Sequence, residues 1–109
     1  MDIEQIRDFC LSLPQTSEDF PFDEEALAFR VRDKIFAMIN VNDPEWFVLK
    51  CHPDVALELR ETHGEIKAAW HMNKKYWNQL DIAALDDELF YSLVDHSYNE
   101  VLKKLPKKT

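Results

Sequence analysis

The sequence predicts an α+β fold: a two-layer sandwich of one antiparallel sheet with helices packed on one face, in the order α-β-β-β-α-β-α. Three observations predict it. Apolar residues return every three or four positions at both ends of the chain, from Ile3 to Leu13 and from Leu89 to Leu105, and each run is one stripe of a helix. Between them, Leu27, Phe29 and Val31 alternate with Ala28, Arg30 and Arg32, the period of a half-buried strand. Turn and stop signals at Pro14, at Asn42-Asp43-Pro44-Glu45 and at Pro106 divide these segments.

The elements follow in order. Asp2 is placed to cap the first helix, with Gln5 in capping-box position. Its stripe is Ile3, Ile6, Cys10 and Leu13, with Phe9 beside it, and Leu13-Pro14 ends it. Pro14 to Glu25 reads as a loop in which Phe20 and Phe22, flanking Pro21, plug onto the core. Ala26–Arg32 is the first strand and Asp33-Lys34 a tight turn. Ile35–Val41 is a second strand with little alternation, hence covered or central. Trp46–Cys51 is the third, which completes an antiparallel meander.

Pro53 suits the first position of a helix whose apolar side is Val55, Ala56 and Leu59, closed by Gly64 as a left-handed cap. Tyr76–Ile82 is a strand with Tyr76, Asn78, Leu80 and Ile82 on one face and Trp77, Gln79 and Asp81 on the other. A short extra strand near Trp70–Met72 is compatible with the pattern. The last helix is capped by Asp86 or Asp87, keeps helical spacing through Leu105, carries Lys103 and Lys104 in its last turn, and stops at Pro106.

Composition narrows the function. At 109 residues, 46% of them apolar, the chain is read as one domain over 1–109 with enough apolar surface for a core. The single glycine, Gly64, argues against a Gly-rich phosphate loop. No apolar run is long enough to span a membrane and the charged first ten residues do not read as a signal peptide, so no membrane partner and a cytoplasmic location are expected. In that compartment Cys10 and Cys51 are expected as free buried thiols.

No catalytic set is visible. The chain has no G-x-S-x-G, and His96 and Ser97, as helix neighbours, point about 100° apart. Cys51, His52, His63 and His71 match no zinc spacing. The expectation is a non-enzymatic protein with no metal and no cofactor, and a monomer.

The formal charge of −8 is uneven: residues 1–65 hold 15 acidic and 6 basic side chains, whereas residues 66–109 hold 6 and 7. An acidic total weakens any case for tight nucleic-acid binding, yet a local basic face is open to the chain. Arg30 and Arg32 share a strand face, and Lys50 can lie on it two strands over. Lys34, Lys74 and Lys75 lie in or beside turns. The Ile66–Leu80 stretch adds Trp70, His71, Asn73 and Trp77 to its lysines. Cations beside aromatic platforms make a workable nucleic-acid surface; a solvated sheet face is the competing reading. The tail Lys103-Lys104-Leu105-Pro106-Lys107-Lys108 either adds phosphate contacts or is a solvated end.

Several stretches together resemble the MmcQ/YjbR family of small bacterial proteins. They are Phe20-Pro21-Phe22, Lys34-Ile35-Phe36-Ala37, Val48-Leu49-Lys50-Cys51 with Pro53, Trp70-His71-Met72-Asn73-Lys74-Lys75-Tyr76-Trp77, and Ser97-Tyr98 followed by Val101. The resemblance implies a frataxin-like (CyaY-like) sandwich and the family's DNA-binding label, linked to a double-wing arrangement of strands and loops. The usual Pro-Phe-Gly reads Pro21-Phe22-Asp23 here, which adds a charge where glycine would allow φ > 0.

On this reading Arg30, Arg32, Lys34, Lys50, Lys74 and Lys75 contact phosphates of DNA, weakly and with strong salt dependence. Trp70, His71, Asn73 and Trp77 form the ligand or interface wall. The alternative is a protein- or small-ligand-binding domain without nucleic acid. A third reading, cation binding through Asp2, Glu4, Asp8 and the Glu18–Glu25 loop, rests on fold analogy alone.

Overall fold

The computed structural model describes residues 1–69 and 72–105, the side chains of Pro44 and Glu45 apart. The chain runs α1 (Ile3–Ser12), β1 (Thr16–Asp19), β2 (Ala26–Val31), β3 (Lys34–Asn40), β4 (Asp43–Lys50), α2 (Pro53–Thr62), β5 (Ile66–Ala68), β6 (Trp77–Leu80) and α3 (Asp87–Leu102). The strands form one antiparallel sheet in the order β1-β2-β3-β4-β6-β5. The expected α+β layering is therefore present, with two short strands, β1 and β5, added to the expected order.

Both helix caps predicted for α1 and α3 form. Asp2 accepts from the Gln5 N–H while the Gln5 side chain accepts from the Asp2 N–H, a complete capping box. Asp86 accepts from the Leu89 N–H. At α2 the cap is His52, whose Nδ1 accepts from the Asp54 N–H at 3.2 Å.

Several local expectations are corrected. Thr16–Asp19 is a strand rather than loop, because Arg7 on α1 grips Glu18 (Nε–Oε2 2.8 Å) and holds the segment against β2. Phe20 and Phe22 are 48% and 71% exposed and do not plug onto the core. Asp23 turns the chain there instead, accepting from the N–H groups of Glu25 and Ala26 at 2.8 Å each. The β2–β3 turn is Arg32-Asp33, with Arg32 at φ 59°, so Lys34 opens β3 rather than closing a turn and Arg32 leaves the strand face. β4 starts at Asp43, since Asn40 Oδ1 accepts from both Asn42 and Asp43 N–H and tightens the turn. Gly64 does not adopt φ > 0; α2 ends at His63 in extended conformation. The extra strand placed near Trp70–Met72 falls largely outside the described residues, and β5 lies just before it.

The helices cover one side of the sheet. Phe29, Phe36, Phe47 and Phe90, all buried, centre the core they share, with Phe47 and Phe90 in edge contact at 5.4 Å between centroids. Register on β3 slips between Phe29↔Ala37 and Arg30↔Ile35, leaving Phe36 as the extra residue of a β-bulge. This puts Phe36 and Ala37 both on the helix side. The carbonyl of Phe36 accepts from Ser97 Oγ at 2.6 Å, and Tyr98 lies edge-on to the Phe36 ring at 5.7 Å. Tyr98 also donates to the Pro14 carbonyl at 2.6 Å. The opposite side carries a small apolar cluster of Ala28, Met38, Val48 and Ala69, covered by Ile35, Trp46, Met72 and Trp77. No helix among the described residues is long and apolar enough to cross a membrane.

Cys10 and Cys51 are buried and unpaired. Burial pushes the Cys10 thiol up to about 12, with Glu18 adding to it. Cys51 is pushed to about 12 by burial and by Glu100, against Arg60. Since the thiolate is the reactive form, neither thiol is expected to react with a disulfide reagent near pH 8 in the native protein. Both should react within the dead time once urea unfolds the chain; a fast native-state thiol would contradict this.

Candidate nucleic-acid interface

The register gathers the predicted cations at one end of the sheet. Val31 pairs with Lys34 at the β2–β3 turn, Ala37 with Leu49, and Lys50, the last residue of β4, with Trp77, the first of β6. α3 runs toward the same end: Phe90 meets Phe47, Ser97 meets Phe36, and Lys104 reaches Tyr76. The other end takes the Asp19–Glu25 loop, Asp43, Glu65, Asp81 and the acidic first turn of α3. The molecule is thus charge-polarised along its strands, which a net charge conceals.

The β5–β6 turn is shaped by Asn73. Its Oδ1 accepts from the Lys75 N–H at 3.0 Å, and its carbonyl accepts from Tyr76 and Trp77 N–H at 3.1 and 3.0 Å. This Asx turn points Lys74 and Lys75 outward and anchors Tyr76 beside β4, where the Tyr76 carbonyl accepts from the Cys51 N–H. Around the Tyr76 ring stand three ammonium groups: Lys50 at 5.9 Å, Lys75 at 5.6 Å and Lys104 at 5.6 Å from its centroid. Each distance is within cation–π range. None of the three pairs with a carboxylate among the described residues. Lys34, Lys67 and Lys74 likewise have no carboxylate partner among the described residues; what sets Lys50, Lys75 and Lys104 apart is that they meet at one ring.

The YjbR family model matches residues 11–100. The chain belongs to the YjbR family. It is 30% identical to the uncharacterized protein YjbR of Escherichia coli over 109 residues, covering 98% of this chain and 92% of that one. A crystal structure of a Deinococcus radiodurans protein, described as a DUF419 domain, superposes with a TM-score of 0.90 at 33% identity, covering 97% of this chain and 82% of that one. A Pseudomonas syringae protein superposes with a TM-score of 0.74 at 26% identity, covering 92% and 98% of the two chains.

Within this YjbR domain the predicted site residues separate into three groups. Lys50, Lys74, Lys75 and Asn73 come together at the basic end, with Lys34 across the sheet. Arg30 is held by Asp19 (2.8 Å) and by the Asp33 carbonyl (2.9 Å), and Arg32 has an interaction of its own, so neither matches the three lysines. Trp77 is half-buried against the Ala28–Met38–Val48 cluster and serves the sheet as cover. Trp70 and His71 lie outside the described residues.

Tyr76 is the residue sequence reasoning missed: read as one more position on a strand face with Asn78, Leu80 and Ile82, it precedes β6 and is the centre of the lysine cluster. Lys104 was legible as a last-turn helix cation and part of a basic tail, whereas α3 ends at Leu102 and Lys104 lies just past it. The acidic set proposed for cations has local partners: Asp2 caps α1, Glu18 binds Arg7, and Asp19 binds Arg30. Backbone N–H groups of Ala26 and Glu25 hold Asp23 below the usual carboxylate range.

Between α2 and α3 a hollow of about 370 Å³ is lined by His52, Val55, His96, Asn99, Glu100 and Lys103. His52 Nδ1 accepts from Asp54, and His96 Nε2 accepts from the His52 N–H at 3.3 Å. Each neutral ring therefore carries its proton on the other nitrogen, which leaves no lone pair free for a metal. Among the described residues no three metal-ligating side chains converge. Buried Glu100 pairs with Lys103. Burial raises its carboxyl, but Lys103, His96 and His52 bring it below its usual range on balance.

Burial also lowers the His96 imidazole, as do Lys103 and His52, against Glu100. A histidine with a depressed folded value contributes stability that is complete above its unfolded value near 6.5 and is lost as pH falls from there through the folded value. The carboxylates depressed in this fold lose theirs only below about 4.3. Tm is therefore expected to decline between pH 7 and 5, and His96→Gln, whose amide oxygen can still accept from His52, should flatten that decline. An unchanged slope in the variant would remove His96 as its source.

Proposed function

We propose that this protein is a non-enzymatic DNA-binding module that contacts phosphates through the basic end of its sheet. The observation that carries the reading is the convergence of unpaired Lys50, Lys75 and Lys104 on Tyr76 in a chain whose net charge is −8. Lys34 and Lys74 extend that end, and Asn73 sets the turn that presents it. The β2–β3 turn and the β5–β6 turn are the two arms of the double-wing arrangement, on a sandwich read as frataxin-like. The acidic opposite end orients the molecule in the field of a polyanion, so encounter favours the basic end.

Exposed Phe20 and Phe22, on the loop at the acidic end, favour a second reading, a protein-binding surface. Fluorescence anisotropy with a short labelled duplex separates the two. On the DNA reading, affinity falls about 10²-fold between roughly 50 and 200 mM salt if four phosphates are neutralised. Absence of binding at the lower salt ends the DNA reading and leaves the protein partner.

A further inference from the structure

We infer that the Lys50–Lys75–Lys104 cluster is a site for a phosphomonoester, the doubly charged terminal phosphate of a nucleic-acid strand, rather than for internal phosphodiesters. This inference rests on the DNA reading and sharpens it.

The cluster differs from the rest of the basic end. At the β2–β3 turn the guanidinium of Arg30 is already held by Asp19 and the Asp33 carbonyl. At Tyr76, three ammonium groups from three separate elements converge on one ring and none has a carboxylate partner among the described residues. An aromatic ring has two faces, so two of the three cations placed over it share a face. Two like charges over one face, each within about 6 Å of its centroid, repel, and the ring's quadrupole compensates only in part.

A multiply charged anion is the ligand that such a group lacks. Each ammonium brings up to three N–H donors and no acceptor. The Tyr76 hydroxyl has no hydrogen-bond partner among the described residues and adds a neutral donor. A phosphodiester brings a single charge. A phosphomonoester brings −1.5 to −2 at pH 7 and three strong acceptor oxygens. Point cations that share one ring face match the second; a backbone of single charges is matched by cations strung along a strand.

Lys103, the cap residue of α3, pairs with Glu100, and the next residue, Lys104, is the one that reaches the ring. The turn fixes the backbone from which Lys75 projects, because the Lys75 N–H donates to Asn73 Oδ1.

The test is anisotropy with one duplex sequence carrying either 5′-phosphate or 5′-hydroxyl ends, and competition by a closed circular DNA and by a nucleoside 5′-monophosphate. Phosphorylated ends are expected to bind about tenfold tighter, with the monophosphate competing and the closed circle competing poorly per unit mass. The end preference should vanish in Lys75→Gln/Lys104→Gln, whose fold is checked by its thermal transition, and return in Lys75→Arg/Lys104→Arg. Equal affinity for the two duplexes overturns the inference and leaves the DNA reading standing. Binding of the monophosphate without any duplex overturns the DNA reading and, with it, the nucleic-acid strand as the source of the phosphomonoester. Binding of neither overturns both.

Discussion

Phe36→Ala is expected to destabilise the fold by about 3–5 kcal/mol, the range for deleting a large buried ring. Phe36 is fully buried and is the one residue of β3 that the ladder does not pair. Two contacts fix it: Tyr98 stands edge-on to its ring, and Ser97 donates to its carbonyl. Tyr98 in turn reaches the Pro14 carbonyl, so the bulge, α3 and the α1–β1 turn form one connected unit. Removing the ring opens a cavity where these elements meet, and the bulged backbone cannot collapse into it without releasing the Ser97 bond. Domains of this size have about 5–15 kcal/mol in all, so the variant should be partly unfolded at 37 °C. Urea denaturation measures it: a lowered midpoint at constant slope is expected. A loss below about 1 kcal/mol would mean that the bulge can re-register and that Phe36 does not anchor α3.

This unit shows where sequence reading ends. The periodicity of α3 and the alternation along β2 were legible because each reports burial against a continuous face. Tyr98 was legible as part of the α3 stripe, but Ser97 only through a family resemblance, since a bulge 61 residues away leaves no periodic trace. β1 was missed for a related reason. Thr16-Ser17-Glu18-Asp19 has no apolar alternation, and it is a strand because β2 offers an edge and Arg7 holds Glu18 there. Phe20 and Phe22 failed in the opposite direction. Apolar residues read as core turn out to be exposed, because the Asp23 turn closes the loop without them. In the candidate site the individual cations were legible and their convergence was not. Lys50, Lys75 and Lys104 are distant in sequence. They meet only because β6 inserts beside β4 and α3 runs toward the same sheet end. The same register separates the charges of either sign, so a chain-wide −8 was a poor guide to what one end can bind.

Replacing Lys50, Lys75 and Lys104 together by Gln is expected to lower the slope of log K against log salt by about 2.7 if each lysine neutralises a phosphate of its own, at about 0.9 per B-DNA phosphate contact, and by less if the three share one terminal phosphate. At low salt that removes most of the binding, whereas Arg30→Gln, which breaks the pair with Asp19, should change the slope little. Stability separates a binding role from a structural one. If the lysines serve only the fold, each lost cation–π contact costs about 0.5–1 kcal/mol at an exposed site, and Tm falls. If they are held together for a ligand, relief of their mutual repulsion offsets that cost in the free protein. Single Lys75→Gln or Lys104→Gln variants should then keep or raise Tm while weakening DNA binding. The two properties move in opposite directions only when cations are gathered against their own electrostatics. A variant that loses stability and binding in proportion would place the cluster among the elements of the fold.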